Sequence, residues 1–200
     1  MKILKIAISL SLLAAPLQAA GPKDPDWPCI QRRQPALSIP QIWPGPPLGP
    51  EAETLAQRPD IRELGARIAL RRTSMEEAKK LIDDFAAGHT PAEIEALFLA
   101  TFNPVQTARG RVMAGITRYA HKQAQLDAEI NAQRRQLDAL LSAEAKDFDA
   151  IDKAEIAVDW STRIFQDRQQ SLTYVCETPV VLEQRAFALA RLYAAALKAR

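Results

Sequence analysis

Residues 116–178 read ITRYAHKQAQLDAEINAQRRQLDALLSAEAKDFDAIDKAEIAVDWSTRIFQDRQQSLTYVCET, a run without a single glycine or proline. Apolar side chains recur through most of it at spacings of three and four, the period of one helix face, so the run is helical and no alternating α/β sheet is built from it. Extended back one turn, the seam is Val112, Ile116, Tyr119, Gln123, Leu126, Ile130, Gln133, Leu137 and Leu140, a strict four-three alternation with glutamine at two inward positions. A second series, Phe148, Ile151, Glu155, Val158, Thr162, Phe165, Gln169, Leu172 and Cys176, keeps the alternation but starts out of phase.

Two structures accommodate the phase break. One helix from Pro104 to Cys176 is a rod on the order of 110 Å long with a stutter in its middle. The alternative places a tight turn at Ser142-Ala143-Glu144-Ala145-Lys146-Asp147 and folds the two series against each other. The hairpin buries both seams within one chain, and burial stabilises by roughly 25 cal/mol per Å² of apolar surface, so the hairpin is expected. The rod needs a second copy to cover its seam, and a homo-oligomer stays compatible with the pattern.

Shorter helices are expected on either side. Ile61, Leu64 and Ile68 mark one apolar face after Pro59, and Ser74 with Glu77 fits a capping box opening a helix that ends at Gly88. Thr90-Pro91-Ala92-Glu93 repeats the start signal, Asn103-Pro104 reads as the start of the long element, and Thr178-Pro179 as the start of a last helix over about 179–198. In that last helix Gln184, Arg191 and Lys198 form a narrow polar stripe on an otherwise apolar cylinder. Burial on most of its circumference is expected, in preference to a membrane-surface helix.

The N-terminus has the grammar of export. Lys2 and Lys5 precede an apolar run over 6–13 and a small-residue run over 14–20, which predicts a secretory signal over 1–19 and a periplasmic location. The whole chain has 26 Lys plus Arg and 24 Asp plus Glu; without Lys2 and Lys5 the balance is even, so no net charge favours nucleic acid or an anionic membrane. The two cysteines, Cys29 and Cys176, are then expected to form a disulfide, since neither belongs to a Cys-x-x-Cys or has a histidine close in sequence.

Residues 20–59 form a different kind of segment. Nine of the fourteen prolines lie in 21–50, biasing the backbone to extended conformations, yet Trp27, Ile30, Leu37, Ile39, Ile42 and Trp43 require burial. An arm packed on a helical domain over 60–200 is expected, with residues 39–50 as a docking peptide the competing reading.

The sequence offers no catalytic or cofactor-binding constellation. His89 and His121 share no metal-ligand spacing, and the acids Asp147, Asp149, Asp152, Glu155 and Asp159 lack the glycine-bearing loop of a calcium site, so no metal or cofactor is expected. Gly110, Ala114 and Gly115 leave room for a close neighbour, while Arg111, Arg118 and Lys122 project from an adjacent face. The expected protein is all-α: a helical bundle with a long antiparallel helical hairpin and a Pro-rich arm. Its expected role is non-enzymatic, an interaction or assembly factor for another cell-envelope protein, with Trp27, Trp43, Arg111 and Arg118 as candidate contacts. A periplasmic chaperone using apolar grooves, and a ligand- or metal-binding protein or enzyme with a site between helices, are the alternatives.

Overall fold

In a computed structural model, residues 24–199 are described; the segment 1–19 expected to be a secretory signal and the first residues of the arm lie outside them. Among the described residues there are six α-helices and no strand: α1 Ile39–Ile42, α2 Ala52–Leu55, α3 Pro59–Ala69, α4 Met75–Gly88, α5 Pro91–Ser142 and α6 Phe148–Lys198. The chain is all-α, and its frame is one antiparallel hairpin of two helices of about fifty residues, with α1 to α4 packed around its base.

The turn falls where the phase of the seam breaks. α5 ends at Ser142, and α6 opens behind Asp147, whose carboxylate accepts the Ala150 N–H at 3.0 Å and so caps the helix without a glycine. From His121 to the turn, the α5 residues shielded from solvent are Gln123, Leu126, Ile130, Gln133, Leu137 and Leu140, which are the heptad positions. The second series is less exact: Ile151, Val158, Thr162, Phe165, Leu172 and Cys176 face inward, but Phe148, Glu155 and Gln169 are exposed.

Two expected helix starts are corrected. Pro104 lies inside α5 and Pro179 inside α6, so the hairpin arms extend back into the body rather than beginning and ending at 104 and 176. Pro104 cannot donate to the Ala100 carbonyl, and α3 packs against that stretch. A Cβ on Gly65 of α3 would meet the Ala100 carbonyl carbon at 2.7 Å and its oxygen at 2.8 Å, so α3 crosses α5 at a contact that only glycine permits. Pro179 is itself buried, three residues beyond the disulfide that holds this turn of α6 in place.

The helix starts at Ser74 and Thr90 are as expected, with one difference. Thr90 and Glu93 form the reciprocal box: the Thr90 Oγ1 accepts the Glu93 N–H at 3.3 Å, and the Glu93 carboxylate accepts the Thr90 N–H at 2.8 Å. At α4 half of the box is made. The Ser74 Oγ accepts the Glu77 N–H at 3.1 Å, but the Glu77 carboxylate turns to Arg67 of α3 at 2.7 Å.

The core sits at the base of the hairpin. Trp43 stacks on Phe98 with ring centroids 4.3 Å apart, and Tyr193 meets Phe98 edge-on at 5.8 Å. The fully buried Tyr193 hydroxyl lies 2.6 Å from Thr101 Oγ1, which donates onward to the Leu97 carbonyl, so the phenol is buried with its polar end satisfied. Burial holds its ionisation well above the usual tyrosine range. In α6 the stripe of Gln184, Arg191 and Lys198 is exposed, while Leu182, Ala186, Leu189, Ala190, Tyr193 and Ala196 are buried, as the pattern implies.

Candidate interaction surface

The proline-rich arm is a strap across the base, and it contains the single-turn helices α1 and α2 besides extended backbone. Cys29 and Cys176 are bonded, with Cα atoms 5.6 Å apart, tying the strap to α6 across a sequence separation of 147. On α5, Trp27 packs against Met113 and Ile116, Thr117 Oγ1 donates to the Asp26 carbonyl at 3.1 Å, and His121 Nε2 lies 2.6 Å from the Asp26 carboxylate. Arg109 makes the next fastening. Its Nη2 donates to the Gln34 carbonyl at 2.6 Å and sits 3.5 Å from Glu183 of α6, so one guanidinium joins strap, α5 and α6.

The two tryptophans lie on the inner side of the strap. Trp27 is 8% exposed and donates to the Gln31 carbonyl, while Trp43 is 9% exposed and donates to the Pro46 carbonyl; both bonds are 2.6 Å. Both indoles anchor the strap on its own body and leave little surface for a partner. The other two candidates, Arg111 and Arg118, are exposed on α5 and form no ion pair among the described residues. Of the glycines beside them, a Cβ on Gly110 would find open space, and one on Gly115 would meet only the Arg118 guanidinium, at 3.8 Å.

A second, partly buried guanidinium fastens α6 to the body. Arg185 of α6 donates to the carbonyls of Ile68, Ala69 and Thr73, capping the C-terminal end of α3 where helix carbonyls lack partners. Burial lowers its pKa from the ordinary arginine value, as it does for Arg109, where Glu183 opposes the effect. His89 is the residue that ends α4; its ring stacks on Phe85 at 3.7 Å, and its Nδ1 lies 2.8 Å from the Phe85 carbonyl. Neither histidine belongs to a ligand cluster: among the described residues no three His, Cys, Asp or Glu side chains are grouped to hold a metal ion.

Beyond the strap the molecule changes character. Among the described residues, the side-chain hydrogen bonds of the hairpin past His121 all end within the hairpin, including Gln123 Nε2 to the Phe165 carbonyl at 3.2 Å. From 121 to 142 the two helices run on alone for about 33 Å at 1.5 Å per residue. Their seam is imperfect, because the side-chain oxygens of Gln123, Gln133 and Thr162 are buried without a hydrogen-bond partner. α6 also exposes large apolar groups: Phe148, at the start of the second series, is 72% exposed, and Ile156 and Trp160, outside it, are 69% and 63% exposed.

Where strap and hairpin meet, a cleft of about 1420 Å³ opens beside Trp27 and Cys29, floored by Gln123, Phe165 and Leu172. No helix among the described residues is long and apolar enough to cross a membrane. No known family profile matches the chain, and no curated protein or solved structure is significantly similar to it.

Proposed function

We propose that this chain is a non-enzymatic interaction or assembly factor of the cell envelope that presents the distal half of its hairpin to another protein. One observation carries the reading. Phe148, Ile156 and Trp160 stand exposed on the part of the molecule that the body does not touch, and large apolar groups in such a place mark contact surfaces. The strap and its disulfide fit the same reading, since they secure the base from which the hairpin extends, and such a bond persists in an oxidising compartment.

Shortening the hairpin tests the proposal. Removal of residues 129–142 and 148–161 takes two heptads from each helix and keeps the turn. Capture of envelope proteins by the shortened chain should fall to background while its base still melts cooperatively. Undiminished capture would remove the hairpin from the role. The cleft beside Trp27 favours a second reading, a chaperone that receives unfolded segments there; it requires suppression of aggregation of a test substrate at low molar ratio.

A further inference from the structure

The outer face of α6 near the turn has a chemistry that specifies its partner. At helical spacing, Asp149, Asp152, Ile156 and Trp160 follow one another along a single stripe, with Glu155 and Asp159 on one flank and the bases Lys153 and Arg163 also on this face. Asp149, Asp152, Glu155 and Asp159 are exposed, and none of them is ion-paired among the described residues. Across residues 131–160 there are seven carboxylates, at 138, 144, 147, 149, 152, 155 and 159, against four bases, at 134, 135, 146 and 153. The chain as a whole leans the other way, with 26 bases and 24 acids.

Resting on the proposed role of the hairpin, we infer that this face binds a cationic amphipathic helix of a partner protein, Ile156 and Trp160 taking its apolar side and the surrounding carboxylates its lysines and arginines. The shape fits a helix laid along a helix. A shallow groove of about 470 Å³ runs beside Ile156 and Trp160, bordered by Asp159, Thr162, Arg163 and Gln166. The exposed indole adds a π face that attracts ammonium and guanidinium groups, and nearby carboxylates favour the same cations. A second copy meeting this face with its own would set acid against acid, and an anionic bilayer would be repelled in the same way.

The test uses the full oxidised protein and a labelled peptide of about 18 residues in which leucine and lysine alternate at helical spacing, followed by fluorescence anisotropy. The same peptide with glutamate for lysine, an oligolysine without leucine, and anionic vesicles are the comparison probes. The leucine–lysine peptide should bind and weaken as salt rises. Roughly tenfold loss of affinity is expected for Trp160→Ala and for the triple change Asp152→Asn, Glu155→Gln, Asp159→Asn, with no change for Glu51→Gln, Glu53→Gln on the body. Equal binding of the glutamate peptide or of oligolysine would overturn the inference, as would affinity unmoved by either α6 variant. Vesicle binding without peptide binding would replace the protein partner with a lipid surface.

The hairpin reading is separable by capturing envelope proteins with the same variants. If the shortened hairpin loses its partner while the Trp160→Ala and triple variants keep it, the cationic helix falls and the role of the hairpin stands. If all capture alike, both fall. Circular dichroism of each variant guards against misfolding, and the side chains changed are exposed.

Discussion

The same two helices make a dense core at one end of this molecule and an open two-stranded seam at the other. At the base, α5 and α6 are packed by α3, α4 and the strap with its α1 and α2, and Leu97, Phe98, Leu189 and Tyr193 are at most 2% exposed. Past the strap each helix has only the other, and Leu126, Leu137 and Leu140 are merely half-buried. A heptad pattern thus specifies which face a helix turns inward, whereas neighbouring elements decide how completely that face is buried. The difference assigns stability to the base and availability to the tip.

The largest way to break this contrast is to cut the fastening between strap and hairpin. Replacing Cys29 and Cys176 together by serine frees a loop of 147 residues, which on chain-entropy grounds costs about 4–5 kcal/mol, read from denaturant midpoints. A loss below about 1 kcal/mol would mean that Trp27 and Arg109 hold the strap unaided. Phe98→Ala should cost about 3–5 kcal/mol in the base, and Leu137→Ala about 1–2 kcal/mol in the seam. Equal losses would erase the distinction between the two ends.

Smaller changes sharpen it. Gln133 hides an oxygen without a partner in the seam, so Gln133→Leu should stabilise the distal hairpin by about 1 kcal/mol, seen as slower exchange of its amides. Glu93, which opens α5, tests the base through pH. The Thr90 N–H and then the Arg58 guanidinium lower its pKa to about 2, from an ordinary value of 4.5. The folded state therefore releases this proton more readily than the unfolded chain, and the resulting stability is complete above about pH 4.5 and lost as pH falls toward 2. Glu93→Gln should flatten the decline of melting temperature across that interval, and an unchanged slope would contradict the assignment.

Much of this architecture was legible in the amino-acid order because local rules decided it. The 112–140 seam, the phase break at 142–147, the Thr90 box and the pairing of two lone cysteines each follow from spacing or composition. Pro104 and Pro179 misled for a tertiary reason. A proline after Asn or Thr reads as a helix start, and only the contact of Gly65 on Ala100 and the burial of Pro179 show that the helix continues through. Trp27 and Trp43 looked like contacts because an indole in a proline-rich arm can dock outward as well as inward. The face of α6 was missed, although Ile156 and Trp160 fall outside the four-three alternation. Large apolar residues out of phase with a seam are the signal that would have found them.

Hydrogen exchange of the native oxidised protein tests the two-ended account most directly. The amides of 121–170 should exchange by local opening, orders of magnitude faster than those of 94–105 and 182–196, which should wait for global unfolding. Uniform protection along the whole of α5 and α6 would contradict it, because a two-helix seam standing clear of the body could not hold its amides as tightly as the core does.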